Sequence, residues 1–119
     1  MAKERESLPE ELITKEMIQS FISETTDLLD STESYLLELE KNPQNVDLIG
    51  DAFRAIHTVK GNAGFFGYAT IESTCMGVES LMDTIRKGVR KPDHGIISTL
   101  LNSIDSVLDQ LRDLERGKP

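Results

Sequence analysis

Apolar residues recur along the chain at spacings of three and four, and the pattern breaks cleanly three times. Ile18, Phe21, Ile22, Thr25, Leu28, Leu29, Thr32, Leu36 and Leu39 fall on one helical stripe. Thr14 is a suitable N-cap, with Glu16 in the first turn. The stripe predicts a helix from Thr14 to near Lys41, roughly 28 residues and about 42 Å long, stopped by Asn42-Pro43-Gln44-Asn45. Asn45 can cap a second helix running from Val46 to about Ala63. Gly64-Phe65-Phe66-Gly67 then reads as a tight connection. Ile71, Cys75, Val78, Met82 and Ile85 mark a third helix, ending at Lys87-Gly88 with a basic last turn and a glycine cap. Val89-Arg90-Lys91-Pro92 leads to a fourth, capped by Asp93. Its stripe is Ile97, Leu100, Leu101, Ile104, Val107, Leu108, Leu111 and Leu114, and Gly117-Lys118-Pro119 ends it.

No segment alternates polar and apolar residues as a strand would. The expected fold is therefore all-α: an antiparallel up-down four-helix bundle over residues 14–116. Residues 1–13 read as an N-terminal extension, where Pro9 either opens a short extra helical turn or lies in a frayed segment.

One stretch of the second helix is unlike the rest. His57 lies just off the apolar face that Ile49, Ala52, Phe53, Ile56, Val59 and Ala63 share. At about 100° per residue, Gly50, Gly61 and Gly64 fall near the same meridian as His57. Glycine inside a helix costs roughly 1 kcal/mol relative to alanine, so three in one lane call for a reason. An imidazole in a lane with few side chains, with Lys60 one turn away, suits a phosphoryl group handed over by another protein.

Phosphorylating an imidazole needs its neutral form, which about three quarters of ordinary histidine rings adopt at pH 7. One nitrogen must be free to attack while the other donates to an acceptor. Glu72, Glu79 and Asp83 flank the apolar stripe of the third helix, and the helical wheel does not choose among them.

Composition narrows the function classes. The chain has 119 residues, 38% of them hydrophobic, which is enough for one core. Its formal net charge of -8 argues against nucleic acid and against anionic membrane surfaces. No apolar run is long enough for a transmembrane helix, and Met1-Ala2-Lys3-Glu4-Arg5-Glu6 has no signal-peptide core. The single Cys75 fits a core position in a reducing cytoplasm. His57, His94 and Cys75 are too scattered for a metal site.

The segment from Phe53 to Gly67 resembles the core of histidine-containing phosphotransfer (HPt) domains. In particular it is similar to the N-terminal phosphotransfer domain of CheA-type chemotaxis histidine kinases. Phe-Arg-x-x-His-x-x-Lys-Gly-x-x-Gly-x-x-Gly is typical there, and each named position matches. The likeness extends loosely over residues 14–115.

The resemblance implies a phosphotransfer module of a two-component signalling system. His57 would take a phosphoryl group from a kinase's ATP-binding domain and pass it to an aspartate of a response-regulator receiver domain. The partner domains would supply ATP and Mg²⁺, and this domain would bind no cofactor and catalyse nothing alone. Lys60 would stabilise charge on the phosphohistidine or orient the ring, and Glu79 would accept the ring's hydrogen bond. Gly61, together with Arg54 and Gly64, would meet the partner. Many relatives place a second histidine one turn before that glutamate. Met76 stands there here, which implies a smaller hydrogen-bonded network.

Each of these residues also has a plainer reading. Arg54 and Lys60 can be solvated cations, and Glu79 can be a surface acid paired with Arg86 or Lys87. Phe65 and Phe66 can plug the bundle end, and His94 can be a helix-start residue. The alternative functions are a structural or adaptor bundle without phosphotransfer and, less favoured, a hydrolase or metal enzyme.

Overall fold

Two of the expected caps form as their residue types require. Thr14 Oγ1 accepts from the Met17 amide at 3.1 Å, and Asp93 Oδ1 accepts from the Ile96 amide at 3.0 Å. They open the first and last helices of a computed structural model that describes residues 7–117. The helices are α1 (Lys15–Lys41), α2 (Val46–Phe66), α3 (Ala69–Arg86) and α4 (His94–Glu115). A single 3-10 turn, Glu10–Leu12, follows Pro9. The first six residues of the expected N-terminal extension, and Lys118 and Pro119, lie outside the described residues.

Each helix packs on its neighbour in the chain, and α4 closes back on α1, which makes the up-down ring. The innermost layer is fully buried: Leu29 and Leu36 from α1, Ile56 and Val59 from α2, Met82 from α3, and Leu100 and Ile104 from α4. Thr25 and Thr32 are also fully buried. Thr32 Oγ1 donates to the Leu28 carbonyl at 2.8 Å, whereas Thr25 Oγ1 has no partner among the described residues.

The chain departs from the sequence reading at both ends of α2. Asn45 precedes the helix, but its side chain makes no capping hydrogen bond; its backbone carbonyl accepts from the Leu48 amide instead. At the other end the helix does not stop at Ala63. It runs on through Gly64 and Phe65 to Phe66, and the connection shrinks to Gly67 and Tyr68. The stop signal is Gly67 alone, in the left-handed region at φ 79°. The Gly67 amide bonds the Gly64 carbonyl and the Tyr68 amide bonds the Ala63 carbonyl, the paired closure of a Schellman turn. Tertiary packing explains the extra turn. Phe66 lies 5.2 Å from Phe21 and 5.8 Å from Tyr68, and the three rings close this end of the bundle. Phe65 points outward instead.

No described helix is long and apolar enough to cross a membrane.

Candidate functional site

α2 and α3 are joined by two residues, so they run side by side in opposite directions and set His57 across from Glu79. His57 Nδ1 lies 2.5 Å from Glu79 Oε2. Lys60 Nζ donates to the other oxygen, Glu79 Oε1, at 2.7 Å. The carboxylate thus bridges the ring and the ammonium, and its two neighbours sit on one face of α2, three residues apart.

Burial differs sharply within this trio. Side-chain exposure is 65% for His57 but 16% for Glu79 and 15% for Lys60. The carboxylate and ammonium form a sheltered base, and the imidazole stands on it in solvent. Partial burial pushes the Glu79 carboxyl up. The hydrogen bonds from Lys60 and His57, with their charge, outweigh that and hold it below the ordinary carboxylate range. Glu79 is therefore ionised at neutral pH. An ionised carboxylate only accepts, so Nδ1 carries a hydrogen, and in the neutral ring the lone pair is on Nε2. In the neutral form of the ring the free nitrogen is therefore Nε2, and the Glu79 contact fixes it.

The choice that the helical wheel leaves open is made here in favour of Glu79. Asp83 is occupied elsewhere, by Arg86 Nη2 at 2.7 Å and Lys87 Nζ at 2.8 Å. Those two hydrogen bonds hold its carboxyl below the usual range. Arg86 and Lys87 thus pair with Asp83 and not with Glu79. Lys60 meets the ring through Glu79, as the second leg of the bridge.

Of the three residues expected to meet a partner, two lie open. Arg54 is exposed, pairs with Asp51 and lies over Gly50, 3.6 Å from where a Cβ would stand. At Gly61 a methyl group would meet nothing within 4 Å. Among the described residues nothing packs closely enough to need a glycine there. Gly64 differs: it is buried in α2. It lies on the apolar side of the lane, one turn from the α2–α3 connection, and does not face a visitor. Met76 is exposed on α3, one turn before Glu79.

Cys75 is fully buried, and burial, then the Glu79 charge, push its thiol up to about 12 despite the opposing pull of Lys60. It stays protonated and offers no thiolate chemistry. His94 Nδ1 bonds Glu40 Oε2 at 2.6 Å, which ties the start of α4 to the end of α1. No group of three or more metal-ligating side chains occurs among the described residues.

One feature of the site lay beyond the sequence reading. Phe53, assigned there to the core, is only partly buried, and its ring lies nearly parallel to that of His57. The spacing of four residues between them signals such a contact. Nothing in the sequence signals that Arg86, on another helix, would cover the Phe53 ring.

The arrangement that stands out is a four-helix bundle with an exposed imidazole on a carboxylate that a sheltered lysine also bonds. The sequence model of the Hpt domain family matches residues 16–114, and the chain belongs to that family. It is 33% identical over 93 residues to the chemotaxis protein CheA of Salmonella typhimurium, a match covering 78% of this chain and 14% of that protein. To CheA of Treponema pallidum it is 31% identical over 105 residues, 88% of this chain and 13% of the other. The chain thus spans about one seventh of the length of these relatives. Among solved structures it resembles the CheA phosphotransferase domain of Thermotoga maritima, with a TM-score of 0.80 and 32% identity, covering 83% of this chain and 94% of that one.

Proposed function

We propose that His57 Nε2 accepts a phosphoryl group from the ATP-binding domain of a CheA-type histidine kinase and passes it to an aspartate of a response-regulator receiver domain. The Nε2 lone pair attacks the γ-phosphorus, the bond to the bridging oxygen breaks, and ADP leaves. The positive charge that develops on the ring is shared through Nδ1–H with Glu79. Lys60 keeps that carboxylate ionised and fixed. In the second step the Nε2–P bond breaks as an aspartate oxygen attacks. The partner domains supply ATP and Mg²⁺. This chain contributes the nucleophile and its orientation and does not catalyse alone. The open surface at Gly61 and the exposed Arg54 flank the ring and would meet the visiting domain. The setting is a chemotaxis-type pathway in the cytoplasm, the compartment that an unpaired buried cysteine suits.

The observation that carries this reading is the hydrogen bond between a solvent-facing His57 and a sheltered Glu79. His94 on Glu40 is likewise a surface imidazole on a carboxylate; His57 differs in that its acceptor is more sheltered and is also bonded by Lys60. Incubation with a CheA-type kinase domain and labelled ATP should give an acid-labile, base-stable phosphoprotein. His57→Gln should abolish the label, and a receiver domain with Mg²⁺ should drain it. Label that survives His57→Gln contradicts the proposal.

A further inference from the structure

We infer that Phe53 and Arg86 are positioning residues that fix the plane of the His57 ring. The inference rests on His57 being the phosphoacceptor. A hydrogen bond to Nδ1 sets which nitrogen is free, but it leaves the ring able to swing about that contact. No core wall holds an imidazole as exposed as this one. Phe53 supplies a surface instead. It sits one turn before His57 on α2, with ring centroids 6.4 Å apart and planes inclined by 10°. That is a stacked arrangement at the outer part of the aromatic contact range.

Phe53 is in turn held from above. The Arg86 guanidinium lies 4.0 Å from the Phe53 centroid, well inside cation–π distance. Arg86 is tethered by Asp83 at 2.7 Å, one turn earlier on α3. α3 therefore grips the imidazole at two points, directly through Glu79 and indirectly through Arg86 and Phe53. The first selects the attacking nitrogen, and the second aims it. Aim matters because in-line transfer tolerates little displacement, and an error of about 1 Å can cost on the order of a hundredfold in rate.

Phe53→Leu keeps most of the apolar volume and removes the flat face. Phe53→Tyr keeps the face, and Arg86→Gln removes the cation from an exposed position. Three readouts separate aim from folding: melting temperature, kcat and KM with a CheA-type kinase domain, and His57 side-chain NMR couplings in the unphosphorylated chain. Phe53→Leu should lower kcat about tenfold, with KM unchanged and the ring averaging between rotamers. Phe53→Tyr should restore a single rotamer and a near wild-type kcat, and Arg86→Gln should fall between them at an unchanged melting temperature. Wild-type kcat and a single ring rotamer in Phe53→Leu would overturn the inference. So would losses confined to KM, which belong to a docking contact. If Phe53→Leu does not fold, the Arg86→Gln couplings decide alone: an unaltered ring sinks the idea. Failure of the underlying reading looks different, because the wild-type chain then takes no label at His57 while the NMR couplings still report on the stack.

Discussion

Glu79 has two jobs that pull on the same carboxylate. It must stay ionised to hold the Nδ1 hydrogen, and Lys60 makes that possible in a half-sheltered place. Glu79→Ala should slow phosphorylation of His57 several-fold or more while the chain stays folded. Rates with and without the substitution, alongside circular dichroism, check this; an unchanged rate would mean that transfer does not depend on the Nδ1 hydrogen bond. The same contacts give stability a pH dependence. The carboxyl lies below its ordinary value of 4.5 in the folded chain. Its contribution is therefore complete above that value and is lost as pH falls through the lower folded one. Denaturant midpoints measured from pH 6 down to pH 3 should fall less steeply in Glu79→Gln than in the wild type.

α2 shows best how a helix trades its own stability for access. Gly61 sits mid-helix with open space around it, so a methyl group there should be harmless to the fold. Gly61→Ala should raise stability by up to about 1 kcal/mol, read from urea unfolding. Gly61→Leu should also fold but should block transfer, because the added bulk fills the approach to His57. Normal transfer in that variant would mean the open lane is not used. On α1 the buried Thr25 hydroxyl has no partner among the described residues. Thr25→Val keeps the shape and removes the unmet group, and should stabilise the chain by about 1 kcal/mol. A loss of stability would place an unseen partner at that oxygen.

The helices also mark where sequence reasoning succeeded and where it stopped. Periodicity located all four, because each buries one continuous stripe, and Thr14 and Asp93 cap as their chemistry demands. It misplaced the end of α2 because Gly64, Phe65, Phe66 and Gly67 look like a breaker. Gly64 is tolerated inside the helix, and the packing of Phe66 on Phe21 and Tyr68 outweighs its local cost. His57 and Lys60 could be singled out from spacing on one helix. The choice among Glu72, Glu79 and Asp83 needed either family likeness or the register of α3 against α2. The place of Gly64 on the buried side, and the cover of Arg86 over Phe53, depend on how two helices meet, which no single-helix wheel contains.

At the scale of the whole molecule, the bundle keeps the site on its surface. Residues 22 apart in sequence, His57 and Glu79, meet only because the α2–α3 turn fixes the register. A core substitution such as Leu36→Ala, at a fully buried position, should cost about 2–5 kcal/mol. It should reduce labelling only in proportion to the unfolded fraction, since it touches nothing at His57.

Nitrogen-resolved NMR of the phosphorylated chain asks the central question directly: which imidazole nitrogen of His57 carries the phosphorus? Long-range proton–nitrogen correlations distinguish the two positions. Phosphorus on Nε2, with Nδ1 still protonated toward Glu79, is the result expected here. Phosphorus on Nδ1, or on any residue other than His57, would contradict the account.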